Sequence, residues 1–82
     1  MRAGRVTERL TQATILAQDK SEEFRAEFEP LRDGSDAYQA GFVRSWRVSF
    51  ISPETGVARI DVTVFWSDPQ PHSVTLVRVV NQ

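Results

Sequence analysis

The side chains able to do chemistry in this chain are few, and they are poorly spaced for it. His72 is the only histidine, and histidine is the usual general base near neutral pH. It stands between Pro71 and Ser73 at the start of an extended segment. Ser52, Ser67 and Ser73 lie in turn or strand-edge contexts, and none occupies the G-x-S-x-G elbow that exposes a nucleophilic serine. Asp33 and Asp36, with Asp61 or Asp68, offer the hard oxygen ligands that calcium takes. Their Asp33-Gly34-Ser35-Asp36 spacing nevertheless departs from an EF-hand loop. Glu22, Glu23, Glu27 and Glu29 gather carboxylates on a helical stretch, where such a group reads first as a solvated face. Gly4, Gly34, Gly41 and Gly56 are isolated, so no glycine-rich loop is available to cradle a phosphate. With no cysteine, disulfides, zinc ribbons and thiol catalysis are excluded. These residues predict no catalytic set, no metal ligands and no cofactor, and therefore a protein that is not an enzyme.

The elements that must carry these residues follow from periodicity. Residues 4–29 read as one amphipathic helix. At about 100° per residue, Val6, Leu10, Ala13, Ala17, Phe24 and Phe28 share a narrow arc. Lys20 falls on the same arc, where its stem can cover apolar surface while its ammonium reaches water. Glu8, Gln12, Asp19, Glu22 and Glu23 form the opposite side, and Arg25 is spaced to pair with Glu22 and Glu29. Pro30 disfavours helix at Glu29, which gives a helix of about 40 Å, long for so small a domain.

Residues 30–41 form a polar loop with a turn signal at Asp33-Gly34. Three strands follow, at about 42–52, 57–67 and 72–80. In the first, Phe42, Trp46, Val48 and Phe50 alternate with Val43, Ser45, Arg47 and Ser49. In the second, Ala58, Ile60, Val62, Val64 and Trp66 alternate with Arg59, Asp61 and Thr63, a β-branched pattern suited to the centre of a sheet. Phe65 falls on the polar side. The third places Val74, Leu76 and Val80 on one face and Val77 and Val79 on the other. Pro53-Glu54-Thr55-Gly56 and Asp68-Pro69-Gln70-Pro71 are the connections. Short links between consecutive strands imply an antiparallel meander, and one striped helix must cover its apolar face. The fold class is thus α+β over a single domain, 1–82, with a long helix across three strands and room for a short fourth from the loop.

The 82 residues are 26% charged and 40% hydrophobic, with a net charge of −1. No basic excess exists to neutralise a phosphate backbone, which argues against nucleic acid as a partner. Nearly all the positive charge is arginine, with Lys20 the lone lysine, and arginine is the better residue for planar two-point contacts. Trp46 and Trp66 sit at core-facing strand positions. Ile15 points outward: it lies nearly opposite the apolar stripe, with Leu16 on the flank.

The text Ala13-Thr14-Ile15-Leu16-Ala17-Gln18-Asp19-Lys20-Ser21-Glu22-Glu23-Phe24 resembles the run just beyond the membrane segment of minor pilins and pseudopilins. That run typically reads small-x-x-Leu-Ala-Gln-x-Lys-x-Glu-Glu-aliphatic. Trp46-Arg47-Val48, then Ile60 to Asp68, then Ser73-Val74-Thr75-Leu76 are similar to the strands that end V-type minor pilins of type IV pili and the I-type pseudopilin of type II secretion. The family begins with a cleaved leader and a hydrophobic segment carrying a glutamate, which these residues do not include. The resemblance implies the soluble, periplasmic headpiece of a longer subunit anchored in the inner membrane through an N-terminal helix. It also implies a non-enzymatic structural role, starting or capping a fibre by docking on other minor pilins or pseudopilins, with no small-molecule substrate. The surface it marks for those partners is Ala13, Thr14, Ile15, Leu16 and Gln18. The residues also fit a small cytosolic adaptor that binds a protein through its sheet face or Phe65. A small enzyme or ligand carrier would need a pocket of convergent polar groups, which the sequence does not offer.

Overall fold

A computed structural model of the chain describes residues 2–25, 31–38, 41–52, 54–67 and 69–81, with side chains throughout these except at 2–7 and 25. One helix packs on a four-stranded antiparallel sheet. Helix α1 spans Arg2–Arg25, 24 residues, or about 36 Å. It begins two residues before the expected start, and positions 26–29 of the expected helix lie outside the described residues, as do the side chains of Val6, Arg25 and Phe28. Strand β1 is Gly34–Ala37, β2 Val43–Ser52, β3 Val57–Ser67 and β4 Pro71–Asn81, in the order β1-β2-β3-β4.

The short first strand replaces the expected turn at Asp33-Gly34. Gly34 pairs with Trp46 and lies directly beneath its indole. The Asp33 carboxylate accepts the Val48 N–H at 2.7 Å, just past the end of β1. Tyr38 N–H donates to Phe42 O at 2.8 Å and closes the β1–β2 connection. Gly41 takes φ +80° there, a conformation that favours glycine. At the next turn Thr55 N–H bonds Ser52 O at 3.2 Å, and Gly56 leaves with φ +74°. The β2–β3 register slips between Phe50 and Ser52, which makes Ile51 a bulge. The β3–β4 register runs without a slip from Val57↔Asn81 to Ser67↔Pro71.

The helix lies over β3 and β4. Ala13, Ala17 and Phe24 meet Phe42, Ile60, Val62, Val64 and Trp66, and Leu16, Leu31, Trp46, Val48, Val74, Leu76 and Val80 pack around them. Ala13 and Ala17 are fully buried because their small side chains let helix and sheet backbones approach closely. Burial of a ring like Phe24 then contributes about 1.5–3 kcal/mol. Phe24 meets Trp46 edge-on with ring centroids 6.5 Å apart. Trp66 packs against Phe42 at 5.9 Å and stacks on His72 at 5.3 Å.

Three expectations need correction. Leu10 lies on the apolar arc yet is 46% exposed, and the first described side chain that α1 buries is Ala13. Phe50 is 53% exposed, since β1 stops opposite Trp46 and the bulge follows immediately. The Lys20 ammonium does not reach water. The residue is 4% exposed, and its Nζ stands 3.9 Å from the Trp46 ring centroid and 3.4 Å from Glu23 Oε1.

Candidate functional site

Two inward-facing arginines clamp the helix from either flank of β3. Arg44 sits on β2 between Phe42 and Trp46, all on the helix side of the sheet, and is 3% exposed. Its Nε–H donates to Asp36 Oδ1 at 2.9 Å and its Nη2 to Asp36 Oδ2 at 2.5 Å, the two-point geometry that a guanidinium offers a carboxylate. Its Nη1 donates to the Leu16 backbone oxygen at 3.0 Å. A helical carbonyl has a second lone pair for such a bond. The guanidinium carbon also lies 4.8 Å from the Tyr38 ring centroid. One side chain therefore ties β1, β2 and α1 together. Burial opposes its charge most strongly, but the hydrogen bond and charge of Asp36, with help from Tyr38 and Glu23, hold Arg44 above its ordinary pKa.

On the other flank, Arg78 of β4 donates from Nε to the Ser21 hydroxyl and from Nη2 to Glu22 Oε2 at 3.0 Å. Ser21 is 4% exposed. Leu16 and Ser21 lie on opposite sides of the apolar stripe, so the helix is held against both rolling directions. Sequence reasoning passed over both arginines. The signal was their parity, since Arg44 shares the phase of Phe42 and Trp46 and Arg78 that of Leu76 and Val80.

The five helix residues marked for partners do not form one surface. Ala13 is fully buried against the sheet and has no surface to offer; its place on the stripe decides this. Leu16 is half-buried, packs on the core and lends its carbonyl to Arg44. Thr14 turns its hydroxyl back to Leu10 O at 2.8 Å. Ile15, 50% exposed, and Gln18 are the two that face outward. Gln18 lines a cleft of about 420 Å³ with Asp19, Glu22, Leu76 and Arg78, where the helix passes over β4.

The sheet's outer face carries a second set of exposed apolar groups. Val43, 45% exposed, is the cross-strand neighbour of Phe65, 47% exposed. Val77 and Val79 are exposed on β4. Among the carboxylates weighed for a metal, Asp36 is held by Arg44, Asp61 receives Arg59 Nε–H at 2.8 Å, and Asp33 binds the Val48 amide. Asp68 lies outside the described residues. Among those described, no three His, Asp or Glu side chains gather closely enough to hold a metal ion. No helix there is long and apolar enough to cross a membrane. No protein-family model, curated protein or solved structure matches this chain.

Proposed function

We propose that this chain is a non-enzymatic assembly subunit, the headpiece of a pilin-like or pseudopilin-like protein that docks on sister subunits to start or cap a fibre. The observation that carries the reading is an exposed apolar side chain on the inner stripe of α1. Leu10 continues the stripe of Ala13, Ala17 and Phe24, yet it is left 46% exposed. An apolar stripe that its own sheet leaves partly uncovered is suited to burial against another subunit. Ile15 on the outward side offers that neighbour a second contact. The long axis of 51 Å against 19 and 17 Å gives the shape of a rod-end module. The ordered resemblance of residues 13–24, 46–48, 60–68 and 73–76 to minor pilins supports the same reading.

The test is the intact mass and N-terminal sequence of the native protein recovered from cell membranes, with identification of what co-purifies. An apolar extension of about 20 residues ahead of Arg5, together with pilin-like partners, is the expected result. A native chain that starts at Met1 and stays in the soluble fraction overturns the reading. That outcome favours the second account, a small protein-binding module, for which the exposed Val43–Phe65 pair is the specific support.

A further inference from the structure

We propose that β4 is a self-complementary edge through which two copies of this chain pair antiparallel about Val77, joining their sheets into one of eight strands. This inference is independent of the fibre reading. The first argument is backbone parity. The Val48 N–H points toward Asp33 on the β1 side, and so does Phe42 O. Even-numbered residues of β2 therefore face β1, and odd-numbered ones face β3. Carrying the alternation through the β2–β3 and β3–β4 registers turns Leu76, Arg78 and Val80 toward β3. Ser73, Thr75, Val77, Val79 and Asn81 then direct their N–H and C=O groups to the far edge, where no described strand pairs with them.

Exposed edges of this length normally carry a lysine, a proline, a bulge or an inward charge that blocks pairing. β4 has eleven residues, no register slip and no lysine, and its proline stands at its first position. Its one inward charge, Arg78, is neutralised within its own copy by Glu22 and held by Ser21, so it is not presented bare to an incoming strand. The opposite edge of the sheet is defended. There the Asp33 carboxylate plugs the Val48 amide and the Ile51 bulge bends the strand.

Symmetry names the occupant. The five edge-facing residues are centred on Val77, so a dyad there sets Val77 opposite Val77, Thr75 opposite Val79 and Ser73 opposite Asn81. Every one of these pairs is neutral. Each edge-facing residue gives one N–H and takes one, for about ten backbone bonds across the two copies. The outward side chains of Val77 and Val79, 53% and 60% exposed, come together across the joint. On the helix side, Arg78 of each copy falls opposite Leu76 of the other. There each Arg78 keeps the Glu22 of its own copy as partner.

Sedimentation velocity of the purified 82-residue chain from micromolar concentration upward should show a monomer–dimer equilibrium. Val77→Lys sets two like charges face to face and should weaken dimerisation at least about tenfold, with an unchanged circular-dichroism spectrum. The chain has no cysteine, so Val77→Cys introduces a unique thiol. Dyad-related Cα atoms at a hydrogen-bonded pair lie about 5.5 Å apart, within disulfide reach. That variant should oxidise to a covalent dimer while Ile51→Cys does not, a result that stands even if Val77→Lys fails to fold. A monomer at all concentrations, a dimer untouched by Val77→Lys, or cross-linking at Ile51 in preference to Val77 overturns the proposal. Capture of a different extended peptide on β4 by a monomeric chain overturns it too.

Discussion

The Arg44–Asp36 pair gives the sharpest test of how this small domain is held together. Asp36→Ala strips Arg44 of two of its three acceptors and leaves Leu16 O alone to satisfy it. Removing one partner of a buried ion pair typically costs about 3–5 kcal/mol, because the remaining charge stays desolvated. Here the Arg44 side chain is 4% exposed but Asp36 is 37% exposed, so water enters where the carboxylate stood. The expected loss falls to about 2–3 kcal/mol. A domain of this length has roughly 4–12 kcal/mol in total, so the midpoint temperature should drop by about 8–24 °C. Adding Arg44→Met removes the stranded charge, and the double variant should regain at least about 1 kcal/mol over Asp36→Ala alone. Urea and thermal unfolding followed by circular dichroism measure both. Because the Arg44 pKa is raised on folding, its contribution is fully present below the unfolded-state value and lost only as pH rises through the folded one. That window is strongly alkaline, so Arg44 itself adds no pH dependence between about pH 6 and 9. A loss below about 0.5 kcal/mol for Asp36→Ala, or a double variant less stable than the single, would refute the clamp.

Gly34→Ala places a methyl group 2.6 Å from Cζ2 of Trp46. That indole is confined by Lys20 and Phe24, so unfolding titrations should show a loss of about 1–3 kcal/mol with altered tryptophan emission. Ala17→Leu drives a larger side chain into a fully buried helix–sheet contact. It should destabilise by a similar about 1–3 kcal/mol, and a midpoint equal to the parent's would mean the two layers can separate cheaply. Ile15→Asp, at a position 50% exposed, should leave the midpoint within about 0.5 kcal/mol of the parent yet weaken pull-down of sister subunits. Undiminished capture would remove Ile15 from the docking surface.

What local pattern determines, the sequence by itself determined. Ala58, Ile60, Val62, Val64 and Trp66 are all buried, as a period of two in a central strand requires, since both neighbours and the helix press on that face. The turn before Gly56, the exposed side chain of Phe65 and the alternation of β4 are likewise consequences of residues a few positions apart. Only the tertiary structure decided where those patterns stop and what the charged residues among them do. Leu10 and Phe50 carry the right phase but are left exposed, and whether a partner element covers a residue is not written in that residue's own neighbourhood. Lys20, Arg44 and Arg78 occupy apolar phases because Trp46, Asp36, Ser21 and Glu22 reach them from other elements. The four residues of β1 are too few to announce a strand. Their pairing is supported by Arg44 and the indole of Trp46, up to twelve positions further along the chain. A buried charge is stable only beside a partner, and the partner's position is a property of the fold.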